Sequence, residues 1–407
     1  MKTAVIACAL GVVGAAHHHR EQHHLRSGAK VMAMSELAPF YHSTEDIRGE
    51  LSRLSTSCPG MTLQSMGDDP ARAIDVVTIK GSGSTPVNKN FLLFGEHSRE
   101  LISPESGLHF VKALCGENEG LKERAQQLLQ DNEYQIVVNG NPGSRSKVEQ
   151  GSYCLRVSPG GVDLNRNWDE EWQPGAVLDS VDTNPGPKPF SEPETVIFKE
   201  LVSSYRPTTF LTIHSGTKGM YMPWAYDMEH LASRNEPQMM EILKKLDKDH
   251  CECPFGAAGR EVGYSCPGTC LDWIYDKLQT QYAFAFEIYV GNGEEELKER
   301  WEEKMRSPDA FYQASDTLAH KSFKEIFEKH PSGFVQLKSQ TESTWERNEM
   351  DCFSQFNPSD EEDYKRTIEN WSRAYFDMSA LVTANLKSSA PGASNATSAG
   401  AMAFADV

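Results

Sequence analysis

A chain of 407 residues exceeds the usual single domain, yet large α/β domains reach ~250–300 residues before they split, so one large domain with additions is expected. The formal net charge of -18, from 40 Lys and Arg against 58 Asp and Glu, excludes the basic footprint that nucleic-acid binding requires. It favours solubility instead.

In chain order, Lys2 precedes an apolar stretch from Thr3 to Ala16 that closes on Gly14-Ala15-Ala16. A positive residue, a short apolar core and small residues at its end describe a secretory signal peptide over 1–16. That stretch is too short to cross a bilayer comfortably, which takes ~20 apolar residues. The expected location is extracellular or lumenal within the secretory pathway, vacuole or lysosome included, without stable membrane insertion. Residues 17–37, opening on His17-His18-His19, are expected to form a His-rich disordered leader, and a folded domain to occupy 38–386.

Secretion changes what the cysteines imply. Nine are present; with Cys8 in the signal, Cys58, Cys115, Cys154, Cys251, Cys253, Cys266, Cys270 and Cys352 remain, an even set that permits four disulfides. The cluster from Cys251 to Cys270 suggests a stapled loop.

Periodicity supplies the elements. Ile74–Ile79, Phe91–Gly95, Tyr134–Val138, Thr209–Ile213 and Tyr282–Phe286 are apolar runs of strand length. Helical spacing appears in Ile102–Leu114 behind Ser103-Pro104, from Pro193 to Tyr205, and in Glu236–Leu246, Leu271–Leu278 and Tyr364–Leu381. Strands alternating with helices imply a largely parallel sheet covered on both faces, with its site outside the carboxyl ends of the strands. Charged residues 291–351 are expected to form a helical insertion, and the Ser/Ala/Gly/Pro-rich 387–407 a disordered tail.

Chemistry concentrates at three strand ends. His97 and Glu100, three apart, follow Phe91–Gly95; His214 follows Thr209–Ile213; Glu287 follows Tyr282–Phe286. Catalytic zinc takes three protein ligands, often two histidines and a carboxylate, and keeps one position open for water. His97, Glu100 and His214 fit that set for one zinc ion per chain, and Glu287 fits a general base. The H-x-x-E pattern alone is weak, because His18/Glu21 and His42/Glu45 also match it.

Between the ligand groups lie Asn141-Pro142-Gly143, then Gly161-Val162-Asp163-Leu164-Asn165-Arg166-Asn167-Trp168, then Phe190-Ser191-Glu192-Pro193-Glu194-Thr195. These blocks, with Gly95–Glu100, Thr212–Ser215 and Phe284–Glu287, occur in the order of the zinc metallocarboxypeptidases, and from about Phe40 to Val290 the chain resembles that carboxypeptidase A-like family. The resemblance implies a single large α/β domain with a mixed, mostly parallel eight-stranded sheet flanked by helices on both faces. It also implies zinc-dependent removal of C-terminal residues from peptides and proteins. Arg166 with Asn165 would bind the terminal carboxylate, for which a guanidinium has the matching planar fork. Arg156 would stabilise the oxyanion, with Arg145, just after Asn141-Pro142-Gly143, as the competitor for that role and a candidate substrate-binding residue. Tyr264 would cap the substrate, and Leu271, seven residues on, would form an apolar pocket base favouring aromatic or aliphatic C-terminal residues.

Two departures stand out. Nothing before Phe40 fits the family's folded inhibitory segment of ~100 residues, and the spacing from Asp272 to Glu287 is one residue longer than in pancreatic-type members. A zinc amidohydrolase acting on a cell-wall peptide or glutamyl linkage is a second reading, and a non-catalytic secreted binding protein a third.

Overall fold

A computed structural model describes residues 31–81, 85–174, 181–291, 302 and 349–389. The signal peptide, most of the His-rich leader, nearly all of the 291–351 insertion and the tail beyond Ser389 lie outside the described residues. The elements below belong to one unit that starts at Met32. Residues ahead of 38 already pack into it, for Tyr153 Oη donates to the Met32 carbonyl (2.8 Å) and the Met34 amide to that of Glu149 (2.9 Å).

Eight strands form one mixed sheet: β1 (Met61–Met66), β2 (Ile74–Lys80), β3 (Asn88–Phe94), β4 (Asn132–Val137), β5 (Thr209–His214), β6 (Lys218–Met222), β7 (Phe255–Ala257) and β8 (Tyr282–Ile288). Their spatial order is β1-β2-β4-β3-β5-β8-β6-β7. The central β4, β3, β5 and β8 are mutually parallel, and antiparallel partners sit outside them at β2 and β6. Sequence periodicity finds the central strands, which carry buried apolar runs, and β2, but not β1, β6 or β7. Their patterns are interrupted by polar residues or too short to stand out.

Strand alternation puts helices on both faces. Phe91 of β3 meets Tyr205 of the Pro193–Tyr205 helix on one face, while Phe94 meets Tyr375 of the Glu361–Ser388 helix on the other. On that second face Phe286 packs against Trp371, whose indole donates to the Ile288 carbonyl (2.8 Å). A buried polar seam runs along the same contact. Ser379 donates to Asn90, Thr383 and Asn90 donate to Asn132, and Thr209 donates to Asn88. Each of these buried groups thus has a partner, without which it would cost ~1–3 kcal/mol.

The Ile102–Leu114 helix begins one residue before Ser103, and Ser103 is not its cap. The hydroxyl of Ser103 donates to the Ile213 carbonyl (2.7 Å) and accepts from the Gly95 amide, tying β3 to β5. The helix start is met from far along the chain instead: Asn357 Oδ1 accepts from the Ile102 amide (3.0 Å), and its Nδ2 donates to the Arg99 carbonyl (2.9 Å).

Among the described residues three disulfides form rather than four: Cys58–Cys115, Cys154–Cys352 and Cys251–Cys253. Cys266 and Cys270 are free and buried, so the 251–270 loop carries only the short Cys251–Cys253 bridge. The thiol of Cys270 is directed at the Glu96 carboxylate (3.5 Å) rather than at another sulfur.

Trp371 is 2 % exposed and joins the closing helix to the β8 edge that carries Glu287. Trp371→Ala should lower unfolding free energy by about 3–5 kcal/mol, read from a urea midpoint shift at constant m.

Candidate active site

Parallel register builds the site. In the β5–β8 ladder His214 stands directly beside Glu287, and in β3–β5 Phe94 stands beside Ile213, so the residues after Phe94 emerge at the same carboxyl edge. The turn there needs Gly95. Its φ is +69°, and a Cβ would lie 2.7 Å from the Pro104 ring.

His97, Glu100 and His214 converge. His97 Nδ1 is 2.8 Å from Glu100 Oε1, His214 Nδ1 is 3.1 Å from Glu100 Oε2, and the two Nδ1 atoms are 3.1 Å apart. All three side chains are buried. Zinc bonds of ~2.0–2.2 Å in a tetrahedron set donor atoms roughly 3.3 Å apart, close to this spacing. The outer ring nitrogens strengthen the fit. His97 Nε2 meets Asp163 Oδ1 (3.1 Å) and His214 Nε2 meets Thr212 Oγ1 (2.8 Å), so each ring can carry its proton outward and present a lone pair inward. Two inward lone pairs beside a carboxylate repel one another unless a cation lies among them. The chemistry of the donor set therefore suits a divalent ion.

The electrostatics are those of a buried charge cluster. Burial raises the Glu100 carboxyl, but His97 and His214 overcome it and hold Glu100 well below the usual carboxylate range. Asp163 behaves likewise: burial opposes ionisation, and Arg156 with His97 keeps it charged. Arg156 donates through Nε to Asp163 (3.0 Å) and through Nη1 toward Glu100 (3.5 Å). Glu287 is different. Burial and the nearby Glu100 push its carboxyl up, and its Oε2 is buried with no hydrogen-bond partner among the described residues.

Asn165 and Arg166 form the turn after Asp163, which accepts from the Asn165 amide (2.9 Å). Asn165 Nδ2 approaches His214 Nε2 (3.5 Å), and its Oδ1 accepts from the Cys270 amide (3.0 Å), drawing the start of the Cys270–Lys277 helix to the cluster. Leu271 follows in that first turn, 2 % exposed. Gly268 makes the approach feasible: its φ is +74°, and a Cβ there would strike the Arg166 carbonyl at 2.3 Å. Arg166 donates to the Asn165 carbonyl (2.7 Å), its Nε is buried without a partner, and no carboxylate pairs with it among the described residues. Tyr264, in the loop before that helix, is 38 % exposed and within electrostatic reach of Arg166, Arg156 and Glu287.

Arg145, expected to compete with Arg156 for the oxyanion and to bind substrate, is not brought to the cluster. It is 1 % exposed and bonds Glu105, Glu149 and the His42 and Leu101 carbonyls, so its guanidinium binds α-helical and N-terminal segments together. Three residues that motif reading passes over belong to the site. Glu96 is next to His97, Thr212 alternates with His214, and Asp163 stands two residues before Asn165, all inside the quoted blocks.

The sequence profile of a family described as zinc carboxypeptidase matches residues 47–307. Carboxypeptidase A2 of Rattus norvegicus is 28 % identical over 271 residues, covering 61 % of this chain and 62 % of that protein. Carboxypeptidase B of the same organism is 27 % identical over 272 residues, covering 61 % and 63 %. The chain thus spans less than two thirds of the length of these relatives. Among solved structures, thrombin activatable fibrinolysis inhibitor aligns with a TM-score of 0.61 at 17 % identity, covering 85 % of this chain and 75 % of that one. The carboxypeptidase A of Helicoverpa armigera aligns at 0.53 and 19 % identity, covering 69 % and 75 %. These likenesses show a shared fold.

Metal analysis of purified protein should find about one zinc per chain, removed by a chelator, because three converging donors define one site. His97→Ala should lose the metal while far-UV circular dichroism stays native.

Proposed function

The chain belongs to the zinc carboxypeptidase family, and from that premise we propose that it hydrolyses the last peptide bond of peptides and proteins with a free C-terminus. Arg166 carries the reading: a buried guanidinium with an unsatisfied Nε and no carboxylate partner among the described residues, next to the His97–Glu100–His214 cluster. Asp163 interacts with Arg166 only at longer range, and leaving a buried guanidinium short of hydrogen bonds is costly; a substrate's terminal carboxylate supplies the missing contact in bidentate geometry. An enzyme cutting within chains has no use for such a group.

His97, Glu100 and His214 would hold zinc, which supplies Lewis acidity toward the scissile carbonyl and toward water. The remaining work belongs to side chains. Arg166 and Asn165 anchor the terminal carboxylate and so fix which bond lies at the cluster. Glu287, raised by burial and free at Oε2, accepts a proton from the attacking water. As the water oxygen bonds to the carbonyl carbon, charge grows on the carbonyl oxygen, and Arg156 stabilises it. Arg156 is suited to this because Asp163 and Glu100 already hold it in place. When the C–N bond breaks, Glu287 returns the proton to the leaving amine. Tyr264, on its exposed loop, closes over the departing residue. Three disulfides support an oxidising compartment, and hence export directed by residues 1–16. No helix among the described residues is long and apolar enough to cross a membrane.

Glu287→Gln keeps shape but removes the proton acceptor, so kcat on a blocked dipeptide should fall at least ~10^2-fold with zinc content unchanged. Near-normal turnover would remove Glu287 from the mechanism.

Specificity rests on Leu271. An apolar buried residue, one position after the Cys270 amide that binds Asn165, offers a charged side chain no partner, and burying one unpaired costs several kcal/mol. Blocked peptides ending in Phe, Leu or Tyr should therefore show kcat/KM at least ~10^2-fold above those ending in Lys or Glu. Leu271→Asp should shift preference toward Lys and Arg. An unmodified enzyme preferring charged termini would mean that another residue lines the pocket.

A further inference from the structure

The two candidate histidine ligands are backed differently. His97 Nε2 meets the carboxylate of Asp163 directly. His214 Nε2 meets a hydroxyl, Thr212 Oγ1, at 2.8 Å, and that same oxygen lies 3.3 Å from Glu96 Oε2. We propose that Thr212 and Glu96 form a hydroxyl-bridged relay that positions His214 as a metal ligand: His214 Nε2–H donates to Thr212 Oγ1, and Thr212 O–H donates to Glu96 Oε2. The inference rests on His214 being a ligand, as argued above.

Strand geometry makes the first link. Thr212 and His214 are two apart in β5, so they share a sheet face. Glu96 comes from the turn after β3, the neighbouring parallel strand. Its carboxylate is buried, with Trp168 Nε1 donating to Oε1 (3.4 Å) and the Cys270 thiol to Oε2 (3.5 Å).

Proton direction follows from the donor inventory. A neutral imidazole has one N–H. The polar groups near His214 Nε2 are Thr212 Oγ1 at 2.8 Å, Asn165 Nδ2 at 3.5 Å and Glu96 Oε2 at 3.6 Å. The Asn165 amide nitrogen is itself a donor and cannot receive the Nε2 proton, because Oδ1 of that amide is engaged by Cys270. Thr212 Oγ1 is then the near acceptor. Once it accepts, its own proton needs a home, and Glu96 Oε2 provides one. The chain of two bonds fixes the tautomer with the lone pair on Nδ1, the atom facing His97 and Glu100. A negative charge at the far end makes His214 a stronger donor to a metal. A purely structural Glu96, holding only Trp168 and Cys270, would leave metal affinity untouched.

The test measures zinc affinity of the full-length, metal-stripped protein by competition with a chromophoric chelator, with thermal melting of each apo variant as the folding control. Thr212→Val keeps shape and removes the hydroxyl; Thr212→Ser restores it. Glu96→Gln keeps an acceptor oxygen and removes the charge. Expected are a zinc affinity ~10–100-fold weaker in Thr212→Val, recovery in Thr212→Ser, and a loss of ~10-fold in Glu96→Gln, all with apo melting near that of the unmodified protein. Wild-type affinity in folded Thr212→Val overturns the relay. If Thr212→Val does not fold, Glu96→Gln decides, and unchanged affinity there overturns it equally. His214→Ala separates the two levels. Retained zinc affinity in that variant sinks the ligand assignment itself, whereas lost affinity there with unaffected Thr212→Val sinks only the relay.

Discussion

Everything at the candidate site depends on the parallel pairing of β3, β5 and β8. Because His214 is registered against Glu287, and Phe94 against Ile213, three chain segments far apart in sequence end on one line. A slip of one residue in β5 would turn His214 and Thr212 to the opposite face together. The register is held by the continuous apolar runs that fill both faces and by buried hydrogen bonds such as Ser103 to Ile213, which clamps β3 to β5 just below the site.

On that edge the chain assembles more charge than a protein interior ordinarily tolerates, and it does so in pairs. Arg156 offsets Asp163 and Glu100, and the two histidines share Glu100. Pairing keeps the desolvation cost down and holds each side chain at a fixed angle. Within this cluster two groups keep an atom without a hydrogen-bond partner among the described residues, Arg166 at Nε and Glu287 at Oε2. They are the groups to which the proposed mechanism gives a substrate carboxylate and a transferable proton. Unsatisfied buried polar atoms are costly in a finished fold and sensible in a site that gains its partners on binding.

The covering loop is arranged by the same economy of contact. Gly268 lets the 263–270 segment lie against the Arg166 backbone, and the Cys270 amide grips Asn165, so the residues proposed to bind the terminal carboxylate and those proposed to select the side chain form one packed unit. Cys266 and Cys270 stay reduced within it. Even cysteine arithmetic suggests a fourth bridge, but number carries no geometry: the Cys270 thiol is committed to Glu96, its own amide is held by Asn165, and the preceding Thr269 caps the helix.

How much of this was legible in the residues differs by element. Central strands and long helices are local phenomena, so apolar runs and 3.6-residue spacing locate them, and the Ile102–Leu114, Pro193–Tyr205 and Glu236–Leu246 helices carry the bounds their periodicity indicates. The strand ends carrying His97, Glu100, His214 and Glu287 are legible for the same reason, and the ordered blocks between them point to the family. Edge strands β1, β6 and β7 are not, since their pairing rather than their own pattern makes them strands. Ser103 looks like a helix cap in sequence, whereas the cap comes from Asn357, 255 residues away. Arg156 and Arg145 are both arginines near the right motif, and only packing reveals that one joins Asp163 while the other is absorbed by Glu105. Glu96 and Thr212 sit in plain view beside the ligands, yet their meaning depends on which way the His214 ring turns. Sequence by itself determined the segments that obey short-range periodicity and the identities of the reactive side chains. Which side chains face each other, which charges are paired and which cysteines remain free was decided by long-range contacts, because those depend on distances that spacing along the chain does not encode.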